Sequence, residues 1–269
     1  MTALPYSRMT ALISGASSGI GRHFAEQLAA RGCRLILTAR RQPELQQLAA
    51  QLHSHYGSQV LVLPADLAQP GAVPDVCRRI DEAGWQVDLL VNNAGFGKWS
   101  HFQAQDAAVY QQMLMLNVLA LTELCRYYLP AMRARGCGAV INVASTAAFQ
   151  PLPYIAVYGA SKAYVLHLSE ALAAEYADSG VRVLGLCPGN TATAFADVAG
   201  ADVSGMAAST PASVVASALQ ALDSGRHYRV PGAANYLLAQ LPRWLTRRQA
   251  TRLVARMFAG RVPALGESV

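Results

Sequence analysis

A glycine-rich turn set between an apolar run and a helical pattern restricts this chain more than any other feature. Residues 11–14 form a short apolar run, S-G-A-S-S-G-I-G extends from Ser14 to Gly21, and F-A-E-Q-L-A-A follows with helical periodicity. Such a turn lets the backbone approach a pyrophosphate and directs the free N–H groups of a positive helix end toward it. The same glycines also suit a plain tight turn, and their spacing, G-x-x-x-G-x-G, differs from the common G-x-G-x-x-G.

Further apolar runs lie at 34–38, 59–63, 87–91, 139–143 and 181–187, with helical patterns between them, and a shorter run at 227–230 precedes Pro231-Gly232. This alternation predicts an α/β fold: one doubly wound Rossmann-type domain, a parallel sheet of six to seven strands with helices on both faces. A chain of 269 residues suffices for one such domain, and 53% hydrophobic against 14% charged residues argues for a well-buried fold and against disorder. The catalytic domain is assigned to 1–232, with a substrate loop at about 190–209, and 233–269 to a C-terminal helical extension of the same fold.

Open parallel sheets bind ligands beyond the carboxyl ends of their strands. Here those ends carry P-A-D-L with Asp66 and Leu67, N-N-A-G with Asn93, Ala94 and Gly95, Ser145, and P-G-N-T-A-T with Pro188, Gly189, Thr191 and Thr193. Asp66 can meet an adenine edge or cap the turn that follows. The second strand ends in Ala39-Arg40-Arg41, without an acid. An acid there pairs with the 2′-OH of NAD, whereas arginine suits the 2′-phosphate of NADP, so NADP(H) is favoured over NAD(H). Arg40 and Arg41 as plain solvated cations would sit unfavourably at the positive start of a helix.

The stretch from Ser145 to Lys162 carries the proton chemistry. Tyr158 has Lys162 four residues on, one helical turn along the same face, whereas Tyr154 and Tyr164 have Tyr158 and Leu168 in that place. A phenol of pKa about 10 is a slow proton donor at neutral pH, and a nearby ammonium favours the phenolate. Tyr158 is thereby a candidate general acid or base. Asn117, inside the long helical stretch 104–135, needs partners for its amide.

Taken together, S-G-A-S-S-G-I-G, N-N-A-G, Asn117, Ser145 thirteen residues before Tyr158, Y-G-A-S-K and P-G-N-T-A-T resemble the short-chain dehydrogenase/reductase superfamily over roughly residues 10–193, more loosely to 230. The resemblance implies a catalytic set of Asn117, Ser145, Tyr158 and Lys162. Ser145 would bind the substrate carbonyl, Tyr158 would donate or remove the proton, Lys162 would bind the nicotinamide ribose and lower the Tyr pKa, and Asn117 would hold a relay water. It also implies cofactor contacts from Gly15, Ser17, Ser18, Gly19, Ile20, Gly21, Arg40, Arg41, Asp66, Leu67, Asn93, Ala94, Gly95, Tyr158, Lys162, Pro188, Gly189, Thr191 and Thr193. A homodimer or homotetramer is implied as well. Ser14 replaces the usual Thr, Ala148 a frequent Gly, and Ser18 the second basic residue of many NADP-dependent relatives, so the NADP preference rests on Arg40, aided by Arg41.

The expected function is an NADPH-dependent carbonyl reductase or alcohol dehydrogenase. The alternative is a catalytically quiet NADP-binding regulatory or scaffold protein, against which the intact Ser145, Tyr158 and Lys162 set argues. Phe96, Ala147, Phe149, Tyr154 and Phe195, with Trp99 nearby, are candidate pocket residues, and their apolar character points to a hydrophobic ketone. Five scattered cysteines show no Cys-x-x-Cys pair and no His partners at ligand spacing, so no metal site or disulfide framework is expected. The N-terminal residues show no signal-peptide pattern and no apolar stretch suits a membrane span, giving a cytoplasmic expectation. Net charge is +6, without a nucleic-acid-reading motif. Residues 224–266 contain eight arginines and no acid, interspersed with Leu241, Trp244, Leu245, Leu253, Val254, Met257 and Phe258. This basic amphipathic helix is expected to cover the pocket or dock a subunit, with a peripheral membrane or acidic carrier-protein contact as the alternative.

Overall fold

The structure, a computed structural model, describes residues 3–262. Thr10–Ser14 (β1), Arg34–Ala39 (β2), Val60–Pro64 (β3), Leu89–Asn92 (β4), Gly138–Val143 (β5), Val181–Leu186 (β6) and Tyr228–Arg229 (β7) form one parallel sheet in the order β3-β2-β1-β4-β5-β6-β7. All six main apolar runs become strands, and the 227–230 run supplies the seventh, reduced to two residues beside β6. β4 begins at Leu89, two residues into its apolar run, and Asp88 just before it accepts from Thr10 N through its carboxylate at 3.0 Å.

Side-chain alternation divides the core between the two faces. Ile13, Leu35, Leu37 and Ile141 pack with Phe24, Leu45 and Val215, which belong to Gly19–Ala29 (α1), Gln42–Tyr56 (α2) and Pro211–Asp223 (α8). Leu12, Ile36, Leu90 and Val140 turn the other way, toward Val76, Leu124 and Val165 on Ala72–Glu82 (α3), Leu121–Arg135 (α5) and Ala156–Glu175 (α6). Because both faces are covered, β1, β4 and β5 are buried throughout, which is why they read as unbroken apolar runs.

The winding fixes where a ligand can bind. The chain runs outward from β1 to β3, returns past β1 to β4, and then proceeds in the other direction. The carboxyl ends of β1 and β4 therefore diverge into a crevice, flanked by the glycine turn and N-N-A-G.

Three segments differ from the sequence expectation. The stretch 104–135 is interrupted: Ala107–Leu114 (α4) leads into a π-helical turn, Met115–Ala120, before α5. α6 begins at Ala156, so Tyr158 lies within its first turn and does not open it. The segment 190–209, expected as a loop, carries the short helix Phe195–Ala199 (α7) and is closed by a parallel bridge between Thr191 and Ser209. After β7, Ala233–Gln240 (α9) and Arg247–Phe258 (α10) follow. α10 is held to the segment before α6: Val254 clusters with Leu152 and Ile155, and the Trp99 and Phe258 rings meet edge-on at 4.9 Å. The last residues of the extension, 263–269, lie outside the described residues.

Candidate active site

The glycine turn is fastened to the end of β4 by two side chains. The Ser14 hydroxyl accepts from the backbone N–H groups of Asn93 and Ala94, each at 3.0 Å. Asn93 donates through Nδ2 to the carbonyls of Ser14 and Gly15 at 3.0 and 3.2 Å. The serine at position 14 thus does what its hydroxyl permits. Gly15 adopts φ +67°, and a Cβ there would lie 2.8 Å from Asn93 Nδ2. At Gly21 a Cβ would lie 2.3 Å from the Gly15 carbonyl oxygen. Gly21 therefore does not line the cleft; it lies beneath the turn and lets helix and loop close together. Gly21→Ala is expected to cost about 2 kcal/mol, lowering the melting temperature by about 6 °C, measured by thermal denaturation; an unchanged melting temperature would refute the close packing.

The crevice has the features that a phosphate-bearing dinucleotide requires. Ser18 stands at the N-cap of α1 without a side-chain cap, so the first N–H groups of that helix face the cleft unclaimed by it. Arg41 donates to Ser17 Oγ at 3.1 Å and pairs with Glu44 at 3.4 Å. Arg40 is exposed, lines the cleft and makes no ion pair or hydrogen bond among the described residues. Asp66 accepts from Ala68 N at 3.2 Å, which holds the turn that follows, and it also lines the cleft beside Leu67. Pro188, Gly189, Thr191 and Thr193 line the same cleft, as do Gly15, Ser17, Gly19, Ile20, Asn93, Ala94 and Gly95.

Across the crevice, β5 and α6 bring three groups together. Ser145, at the end of β5, accepts from Ala147 N at 3.1 Å as it starts the 3-10 turn Thr146–Phe149. Its hydroxyl donates to the Pro188 carbonyl at 3.5 Å, and the Tyr158 phenol lies beside it. Burial pushes the Tyr158 pKa up to about 12, with Ser145 pulling the other way. Lys162 points into the same corner, its Nζ 5.8 Å from the Tyr158 ring centroid, and donates to the Val143 carbonyl at 2.7 Å. Burial draws Lys162 down to about 8. The expected lowering of the Tyr pKa by Lys162 is not seen in this arrangement: the ammonium is directed at a strand carbonyl, and desolvation of the phenol dominates.

Asn117 does not face the cleft. Its Nδ2 donates to Phe96 O at 2.9 Å and to Ser161 Oγ at 3.1 Å, and its Oδ1 accepts from Phe96 N at 3.1 Å. The side chain ties the loop after β4 to α6, which explains how the chain tolerates this amide at 1% exposure.

The crevice continues into an apolar chamber, together about 920 Å³. Phe96, Trp99, Ala147 and Phe195 line it as expected, but Phe149 and Tyr154 do not. The 3-10 turn rotates Phe149 into the core, where it meets Tyr228 at 6.4 Å. Tyr154 adopts φ +69°, and its ring meets His101 edge-on at 5.2 Å. Gln150, Leu152 and Ile155 take their places. The remaining wall comes from the extension, through Leu238, Leu245, Ala250, Leu253, Val254, Met257 and Phe258. The spacing 250, 253, 254, 257, 258 is one face of a helix, a legible signal whose partner was not.

Comparison with known proteins agrees with this geometry. The short chain dehydrogenase family pattern matches residues 9–204. The 7beta-hydroxysteroid dehydrogenase of Clostridium sardiniense is 34% identical over 184 residues, covering 68% of this chain and 69% of that protein. The very-long-chain 3-oxoacyl-CoA reductase of Anas platyrhynchos is 31% identical over 192 residues, 70% of this chain but only 61% of the reductase. Among solved structures, a short-chain dehydrogenase from Sphingobium yanoikuyae in complex with NADPH superposes with a TM-score of 0.79 at 32% identity, covering 97% of this chain and 98% of that one.

Proposed function

This chain belongs to the short-chain dehydrogenase family and is an oxidoreductase acting on CH–OH and C=O groups, and from that premise we propose an NADP(H)-dependent reductase of bulky hydrophobic ketones. The observation that carries the proposal is that Ser145 and Tyr158 line one continuous cavity with the glycine-turn residues Gly15 and Gly19 and the apolar side chains Trp99, Leu152 and Phe195. The nicotinamide cofactor supplies the hydride.

The chain's own groups do the rest. Ser145 holds the carbonyl oxygen of the substrate, and Tyr158, protonated at neutral pH, donates its proton to that oxygen as it becomes an alkoxide. Lys162 positions the cofactor ribose. Asn117, whose amide is engaged with Phe96 and Ser161, acts by holding the loop after β4 against α6. Trp99, Leu152, Ile155 and Phe195 exclude water and select apolar bulk. The names of the relatives, one acting on hydroxysteroids and one on very-long-chain 3-oxoacyl-CoA, support a large apolar substrate.

The test is a rate comparison with NADPH and NADH over aliphatic, aromatic, steroidal and acyl-thioester ketones. Bulky apolar ketones are expected to react fastest; equal or better rates with small polar sugars would sink the proposal. Arg40→Asp is expected to lower kcat/KM for NADPH by 10- to 100-fold and leave that for NADH unchanged or raised, the loss of one charge-assisted phosphate contact. Equal losses with both cofactors would remove Arg40 from the 2′-phosphate site.

A further inference from the structure

Resting on the reading that the chamber takes a hydrophobic carbonyl compound, we propose that the α9–α10 surface docks the protein on an anionic lipid surface, with the chamber mouth opening onto it. The apolar half of the argument is exposure. Leu237 and Leu238 are 68% and 66% exposed and Trp244 is 85% exposed. Leu253 and Met257 line the chamber and are still 43% and 58% exposed, so they form its rim. On the opposing lip, Val198 lines the chamber at 50% exposure. The mouth is thus ringed by apolar side chains that continue outward onto α9 and the turn Leu241–Trp244.

The charged half is composition and placement. Arg243, Arg247, Arg248, Arg252 and Arg256 are exposed, and none forms an ion pair among the described residues. On other helices some surface arginines pair with an acid one turn away, as in Arg22–Glu26, Arg41–Glu44 and Arg78–Glu82. Here none is available, because 224–266 contains no Asp or Glu. Arg247 and Arg248 also occupy the first turn of α10, where the helix dipole disfavours cations, while a capping box of Thr246 and Gln249 holds the helix start. Cations that do not serve their own helix, interleaved with leucines and an exposed indole, complement a sheet of anionic headgroups over acyl chains. An acidic protein would answer the charges alone. No described helix is long and apolar enough to cross a membrane, so the contact is peripheral.

The experiment is flotation of the full-length protein with phosphatidylcholine vesicles and with vesicles in which about a third of the lipid is phosphatidylglycerol, a composition that gives a strongly negative surface. Partition onto the anionic vesicles, weakened by salt and absent on phosphatidylcholine, is expected. The triple variant Arg247→Gln, Arg248→Gln, Arg252→Gln should partition on the order of 100-fold more weakly, each charge contributing about fivefold. Leu237→Ser with Trp244→Ser should also weaken it. None of these five residues lines the chamber, so NADPH oxidation with a soluble ketone should persist in both variants. Equal partition of wild type and the triple variant would overturn the proposal. So would binding to polyglutamate without preference for anionic vesicles, which assigns the surface to an acidic protein. Light scattering that shows an oligomer dissolved by the Leu237, Trp244 pair, with no vesicle binding, would assign it to a second copy of the chain. Vesicle partition is read without catalysis and soluble-ketone turnover without vesicles, so failure of either reading leaves the other to be judged separately.

Discussion

Tyr158→Phe is expected to lower kcat for ketone reduction by about three orders of magnitude, the upper part of what a positioned proton donor contributes. Fold and cofactor affinity should be retained. The ring contact with Phe195, 5.5 Å between centroids, and the close packing on Gly97 involve carbon atoms that Phe preserves. What is lost is the hydroxyl that faces Ser145. Because burial pushes this phenol up to about 12, it is protonated throughout the neutral range and suited to donate. The reverse reaction, alcohol oxidation, needs the phenolate, so its rate should rise with pH above neutrality, and that rise should vanish in the variant. In the free protein, the phenolate absorbance of wild type minus Tyr158→Phe should titrate near 12. A difference midpoint of about 10 or below would mean that Lys162 acts on the phenol after all. Full turnover by the variant would remove Tyr158 from the proton path.

How much of this could be read beforehand depends on what each pattern encodes. Strands covered on both faces must be apolar throughout, so six of the seven declared themselves, while β7, with two residues, barely could. The four-residue step from Tyr158 to Lys162 established that the two share a helix face. It did not say that Val143 O would claim the ammonium, because that acceptor belongs to β5, nineteen residues away. Phe149 and Tyr154 were misplaced for a related reason. A 3-10 turn and one positive-φ residue decide their directions, and neither leaves a periodic trace. The buried amide chain beneath the site was likewise invisible: Asn92 donates to Asn142 at 2.8 Å and Asn142 to Ser169 at 3.0 Å, partners 50 and 27 residues apart. The amphipathy of α10 was plain, yet only the fold showed that its apolar face completes the chamber.

Lys162→Met should separate catalysis from stability at one position. Turnover is expected to fall at least about 100-fold, since Lys162 lines the crevice beside Tyr158 and, on the proposed function, would position the cofactor there. The stability effect depends on pH in a direction that burial fixes. Desolvation lowers the folded-state pKa to about 8 from an ordinary 10.5. Below about 8 the lysine is charged in both states, and the folded state bears the full cost of burying that charge. Between 8 and 10.5 the folded state releases its proton while the unfolded state keeps it, so stability rises with pH across that window. Above it both states are neutral and the cost is gone. The wild type should therefore gain about 3 kcal/mol relative to Lys162→Met between pH 8 and 10.5, an increment of roughly 2.5 pKa units. Taking the difference between the two proteins cancels the opposite trend from Tyr158 and the buried thiols of Cys33 and Cys125, whose raised pKa values oppose stability at high pH. The unpaired Val143 carbonyl in the variant adds a constant offset, not a slope. Paired urea titrations across that range read the quantity directly; parallel curves would mean that Lys162 carries no buried-charge cost, and its polar partners would then have to include more than the one carbonyl.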